Sequence, residues 1–202
     1  MAGDKNLEGK RGKRAVKMLR SVCRVLDRAG LPYILEAGTL LGVIRENRLL
    51  PWDNDLDITI TRDYEARLSK LLWRFLLKGY YVRVKYYNKD MACFKKGERR
   101  IIKIKHINIL KGFSKDIILD IFLKRRIADE YFWTVGLNPP VLKAVPKRFY
   151  EERSRVSFED YDFLVPADSE AYLEEHYGKD WRIPVKEWDF KTSDCSVREI
   201  LS

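Results

Sequence analysis

This chain predicts an α/β fold of the α+β kind, a mixed β-sheet flanked by helices, and three observations predict it. Apolar residues recur at helical spacing over about Leu7 to Ala29 and again after Thr61. Short runs of β-branched and aromatic residues alternate elsewhere, as half-buried strands require. The 202 residues, 46% of them hydrophobic, suffice for one core, so residues 1–202 are expected to form a single domain.

The first helix sets Ala15, Met18, Leu19, Val22, Cys23 and Leu26 on one face, and Gly30 with Pro32 stops it. Tyr33-Ile34-Leu35 reads as a short strand, Gly38 to Gly42 as a glycine turn, Leu40 to Arg45 as a short helix, and Glu46-Asn47-Arg48 as a loop. A strand over Asp55 to Ile60 gives way at Thr61 to one helix ending at Gly79, with Leu68, Leu71, Leu72, Phe75 and Leu76 inward. Strands are expected over Tyr81 to Tyr87, Met91 to Lys95, Ile101 to Leu110 and Ile117 to Leu123. Gly136, Pro139, Pro140 and Pro146 break Lys124 to Ser154, which suggests a short helix on either side of a loop. Phe158 to Val165 reads as extended, a helix runs from about Pro166 to His176, and the tail after Pro184 is expected to be loosely held.

The formal net charge is +10. Basic residues crowd Lys10 to Arg20, on the outer face of the first helix, and Arg83 to Lys105 in the middle of the chain. Such a field attracts anions: a diphosphate, a phosphorylated glycan, an anionic membrane surface or nucleic acid. The first cluster reads as a solvated helix face, and specific nucleic-acid binding is not expected. No apolar run reaches the length of a membrane span and the N-terminus has no signal-peptide core, so a cytoplasmic location is expected. Three cysteines without C-x-x-C spacing read as reduced thiols. Oligomeric state is not legible.

The chemistry concentrates at Pro51-Trp52-Asp53-Asn54-Asp55-Leu56-Asp57-Ile58. Alternate positions on a strand share a face, so Asp53, Asp55 and Asp57 gather three carboxylates on one side. Like charges at that spacing demand a cation, and hard oxygen ligands suit Mg²⁺ or Mn²⁺. A calcium loop would need a central glycine and a closing glutamate, whereas Leu56-Asp57-Ile58-Thr59-Ile60 continues as a strand. Asp120, alone in the apolar run Ile117-Ile118-Leu119-Asp120-Ile121-Phe122, is the candidate third acid, because an unpartnered carboxylate there would be costly. Asp116 competes as a solvated acid. Gly38-Thr39-x-x-Gly42 offers backbone N–H groups to a phosphate.

The stretch Glu36-Ala37-Gly38-Thr39-Leu40-Leu41-Gly42-Val43-Ile44-Arg45, followed by Leu50-Pro51-Trp52-Asp53-Asn54-Asp55-Leu56-Asp57-Ile58, resembles the signature of the LicD-type phosphotransferase family, which includes the fukutins. Arg62-Asp63-Tyr64-Glu65, Leu119-Asp120-Ile121-Phe122 and Tyr177-Gly178-Lys179-Asp180-Trp181 with Pro184 match in the same order, so the resemblance covers most of the chain. It implies a nucleotidyltransferase-type fold. It further implies transfer of a phosphorylated alcohol, such as phosphocholine or ribitol phosphate, from a CDP-activated donor such as CDP-choline to a sugar hydroxyl of a glycan, as in lipopolysaccharide biosynthesis.

On that resemblance Asp55 and Asp57 are the metal ligands, and Asp120 shares the metal or accepts the acceptor's proton. Asp53 completes the shell, binds through water or fixes the loop. Gly38, Thr39, Gly42 and Arg45 are the candidate donor-phosphate contacts, with a surface ion pair as the alternative for Arg45. Trp52, Lys103, Lys105, His106, Tyr177 and Trp181 are candidate substrate contacts, against structural roles for the aromatics and the histidine. Two other readings stay open: a nucleotidyltransferase proper that uses a nucleoside triphosphate and releases pyrophosphate, and a basic binding protein without catalysis.

Overall fold

The computed structural model describes residues 6–108, 114–136, 138–185 and 188–201. The Leu110 end of an expected strand and the side chain of Asp116 lie outside this description. Helix α1, Gly9–Arg28, buries the predicted stripe from Ala15 to Leu26. It closes at Gly30, whose φ of 58° is a left-handed conformation that glycine adopts without a Cβ penalty. Strand β1, Ile34–Leu35, pairs antiparallel with β2, Leu56–Thr61, and α2, Ala37–Glu46, connects them.

The sheet is built on β5, Ser114–Ile127. Its first half pairs parallel with β2 on one side and antiparallel with β4, Arg99–Asn108, on the other. Beyond β4 lies β3, Tyr80–Tyr86. The second half of β5 pairs with β6, Glu130–Val135, which continues to β7, Val141–Pro146, and to β10, Val197–Ile200. Ile58, Ile60, Leu119, Ile121, Ile102 and Ile104 are all almost fully buried on one face. Each such burial contributes about 1.5–3 kcal/mol. A one-residue slip would exchange Asp57 for Ile58 on that face, so the core itself fixes which way the acids point.

A mixed sheet with helices is as predicted, but several elements differ. α2 begins three residues before the expected Leu40, so Gly38 and Gly42 are helical and form no glycine turn. They allow close approach instead. A Cβ on Gly38 would sit 2.2 Å from Asp53 Oδ2, and one on Gly42 would sit 2.5 Å from the Arg48 carbonyl oxygen. The helix expected from Thr61 to Gly79 is a 3₁₀ turn, Arg62–Tyr64, then α3, Glu65–Ser69, and α4, Leu72–Leu77. Ser69 Oγ bonds back to the Glu65 carbonyl at 2.8 Å, a local competitor that accompanies the break.

Met91 to Lys95 is a tight turn and not a strand: Met91 and Phe94 exchange backbone bonds at 2.9 Å around Ala92, which has φ 48°. Lys124 to Ser154 is mostly sheet, with only α5, Arg148–Glu151, helical, because Tyr131 and Trp133 alternate inward on β6. The extended region is the hairpin of β8, Arg153–Phe158, and β9, Tyr161–Pro166. Helix α6, Ser169–Tyr177, is capped by Asp168, which accepts from Ala171 N at 3.0 Å. The tail is held, not loose: β10 pairs with β7 while Asp194, Ser196 and Leu201 are buried. Among the described residues no helix is long and apolar enough to cross a membrane.

Candidate active site

The N-terminus of α2 clamps the start of β2. Asp57 N donates to Thr39 Oγ1 at 2.9 Å, and the Asp57 carbonyl accepts from Glu36 N at 3.0 Å. Asp57 thus projects from a fixed peptide, directly opposite Asp120 on the parallel neighbour β5. Asp55 precedes β2 by one residue. One carboxylate oxygen from each of Asp55, Asp57 and Asp120 lies within 4.8 Å of the others. Asp53 stands beside them, its Oδ1 accepting from Asn54 N at 2.9 Å and its Oδ2 filling the space left by Gly38.

Electrostatics show what the cluster lacks. Burial pushes the Asp53 carboxyl upward. Burial, and then the charge of Asp53, push Asp55 to about 6. Asp57 lies well above the usual carboxylate range, through burial and then through Asp55, Asp120 and Asp53. Asp120 is also raised by burial, although Lys103 beside it pulls the other way. Lys103 stands opposite Asp120 on β4 and pairs with its Oδ2. The ammoniums of Lys103 and Lys105 do not balance these four carboxylates. Asp120 Oδ1 is buried with no hydrogen-bond partner, and such an orphaned oxygen is costly unless a ligand meets it. An all-oxygen donor set of this charge fits a hard divalent cation, Mg²⁺ or Mn²⁺.

The other predicted residues divide by location. Lys105 is buried on the same face as Lys103, and its charge also reaches Asp120. His106 stands on the opposite face with Ile102 and Ile104, edge-on to Tyr80 at 6.2 Å; one residue of alternation turns it away from the acids. Arg45 is occupied: its Nη2 pairs with Glu46 Oε1 at 2.6 Å and its Nη1 donates to the Trp181 carbonyl at 3.2 Å, the ion-pair alternative. Trp181 itself is buried. The Tyr177 ring packs tilted against Trp188 at 4.8 Å, and burial, then Asp194, then Asp53 and Asp57, raise its hydroxyl. Trp52 packs half-buried against the core. A cleft of about 470 Å³ lined by Leu7, Gly12, Arg48 and Phe158 has none of Asp53, Asp55, Asp57 and Asp120 in its lining.

Sequence reasoning missed a buried polar network behind the acids. Glu36, at the N-cap of α2, pairs with the fully buried Lys124 at 2.9 Å and accepts from Thr59 Oγ1 at 2.5 Å and Tyr150 OH at 3.1 Å. Tyr172 also donates to it. Burial lowers the Lys124 ammonium to about 8, while its Nζ lies 3.3 Å from the centre of the Trp133 ring. His176 bridges this group to Asp194, which pairs with Lys143 at 2.5 Å. His176, in the last turn of α6, is therefore a network residue. The available signal was a lysine ending the apolar run Ile117 to Leu123.

A family model described as LicD/FKTN/FKRP, nucleotidyltransferase domain, matches residues 30–168. The ribitol-5-phosphate transferase FKTN of Homo sapiens is 27% identical over 188 residues, covering 92% of this chain and 37% of that protein. An uncharacterized protein of Rickettsia prowazekii (strain Madrid E) is 29% identical over 133 residues, 66% of this chain and 47% of its own. The ribitol 5-phosphate transferase FKRP of Homo sapiens is 32% identical over 81 residues, 33% of this chain and 16% of that one. The chain spans little more than a third of the FKTN protein it matches. Because the family match runs from before α2 through β9 and takes in all four acids, this chain belongs to the LicD/FKTN/FKRP family, in the part that carries its nucleotidyltransferase domain.

Proposed function

We propose that this chain transfers a phosphorylated alcohol, of the phosphocholine or polyol-phosphate class, from a CDP-activated donor to a sugar hydroxyl of a glycan. The observation that carries this reading is the Asp55, Asp57 and Asp120 cluster, with its unpartnered Asp120 oxygen, in a chain similar to ribitol-5-phosphate transferases. The acceptor oxygen attacks the phosphorus that bears the alcohol, the bond to the CMP oxygen breaks, and CMP leaves. Positioning and charge neutralisation do most of such work. Mg²⁺ or Mn²⁺ held by Asp55, Asp57 and Asp120 would supply charge neutralisation for the diphosphate.

This chain's own groups do the rest. The backbone N–H groups of Gly38 and Thr39 open α2 and suit diphosphate oxygens. Lys103, in a cross-strand row with Arg83 and Asp120, adds positive charge on the donor side. Asp120 takes the hydroxyl proton or completes the ligand set. Asp53 sets the entrance to β2. Charge reversal at Lys103 and Lys105 is expected to raise the KM for donor or acceptor, and nucleic acid to bind only weakly.

The test incubates the protein and Mg²⁺ with CDP-choline, CDP-ribitol, CDP-glycerol or nucleoside triphosphates, plus glycan acceptors. CMP from a CDP-alcohol supports the reading. Pyrophosphate from a triphosphate, with no CMP from any CDP-alcohol, would replace it with nucleotidyl transfer.

A further inference from the structure

We propose that the α4 edge of the molecule docks on an anionic lipid bilayer. No Asp or Glu interrupts Ala66 to Lys89, while seven Lys and Arg residues lie within that stretch. Inside it, Phe75 is fully buried and anchors α4, whereas Trp73 and Leu76 are each 54% exposed and Leu77 is 77% exposed. Two large aliphatic side chains and an indole therefore face outward together from one short helix. Lys70, Arg74 and Lys78 recur every four residues beside them, and the Arg74 guanidinium lies 5.6 Å from the centre of the Trp73 ring.

An apolar cap rimmed by cations matches a bilayer interface layer by layer. Leucines enter the acyl boundary, the Trp73 ring sits at headgroup depth, and Lys and Arg extend along the apolar surface to lipid phosphates. The positive rim selects for anionic lipid. Charge also decides against a second copy of this chain as the occupant, because a two-fold pairing through this surface would bring two cationic rims together. This inference does not depend on the transfer reaction.

The test mixes the full chain with vesicles of phosphatidylcholine alone, or of phosphatidylcholine with phosphatidylglycerol, and follows co-sedimentation and tryptophan emission. The anionic vesicles are expected to bind the protein with a blue shift, and pure phosphatidylcholine to bind it weakly. The double variant Leu76→Ser, Leu77→Ser, at exposed positions, should bind on the order of tenfold more weakly. Trp73→Phe should remove the blue shift while keeping most of the binding. No binding of the wild type to anionic vesicles would overturn the proposal. Unchanged binding of the double variant would also overturn it, leaving only attraction by net charge. Self-association that the double variant abolishes would assign the surface to a second copy.

Discussion

Asp57 and Asp120 stand directly opposite one another on parallel strands, and the nearest lysine, Lys103, pairs with only one of them. Buried like charges in register destabilise the fold unless something neutralises them. In metal-free buffer at pH 7, Asp55→Asn and Asp57→Asn are therefore expected to keep or raise the melting temperature. Wild type should gain about 2.7 kcal/mol at Mn²⁺ concentrations near a hundred times Kd, and the variants little. Thermal melts with and without Mn²⁺ check this. Lower metal-free stability in Asp57→Asn would count against mutual repulsion as the dominant force.

The Glu36 and Lys124 pair ties α2 to β5, and both side chains are excluded from solvent. Removing one partner leaves a buried charge, which costs about 3–5 kcal/mol. Lys124→Met and Glu36→Gln should each lower the unfolding free energy, read from urea titrations, by that order. The double variant should be less destabilised than the sum of the two, because neither charge is then stranded. Additive losses would show that the two groups do not interact.

Asp194 supplies the pH dependence. Burial alone would raise its carboxyl, but His176 and Lys143 hold it well below the usual carboxylate range. A depressed carboxyl contributes stability above its ordinary pKa of about 4 and loses it as pH falls through the folded value. Asp194→Asn should thus be destabilised most at pH 7, and its gap from wild type should narrow below about pH 4. Urea titrations from pH 7 to 3 measure the gap. A constant gap would mean that Asp194 acts by shape and not by charge.

Two glycines in one helix should fail differently. The nearest neighbours of a Cβ at Gly42 are backbone, Arg48 O at 2.5 Å and Leu50 N at 2.9 Å, which have no room to yield. Gly42→Ala should cost about 1–3 kcal/mol. At Gly38 the obstacle is the Asp53 side chain, which can rotate away. Gly38→Ala should therefore spare stability while changing Mn²⁺ affinity, as unfolding and calorimetric titration would show. Equal stability losses at both positions would contradict this distinction.

The acid cluster was legible because strand alternation is a local rule and a lone carboxylate in an apolar run stands out, as Asp120 does. α1 was legible for the same reason of period. The α2 glycines were misread, since their need is for space against Asp53 and Arg48, contacts that appear only on folding. β6 and β7 were hidden by Gly136, Pro139 and Pro140, which mark the turn between two strands where a loop between helices was expected. The tail looked polar and unattached, but Asp194 finds Lys143 and His176 only in three dimensions. His106, one residue out of phase with Lys105, faces away from the acids and takes the structural alternative.

The measurement that bears most directly on the central claim is Mn²⁺ binding at pH 7.5, read from the electron paramagnetic resonance signal of free Mn²⁺, for wild type and Asp120→Asn. Saturable binding to wild type is expected in the presence of a CDP-alcohol, with its loss in the variant, whose melting temperature should remain near that of wild type. Equal binding by both proteins, or none by wild type with donor present, would contradict a metal centre built on Asp55, Asp57 and Asp120.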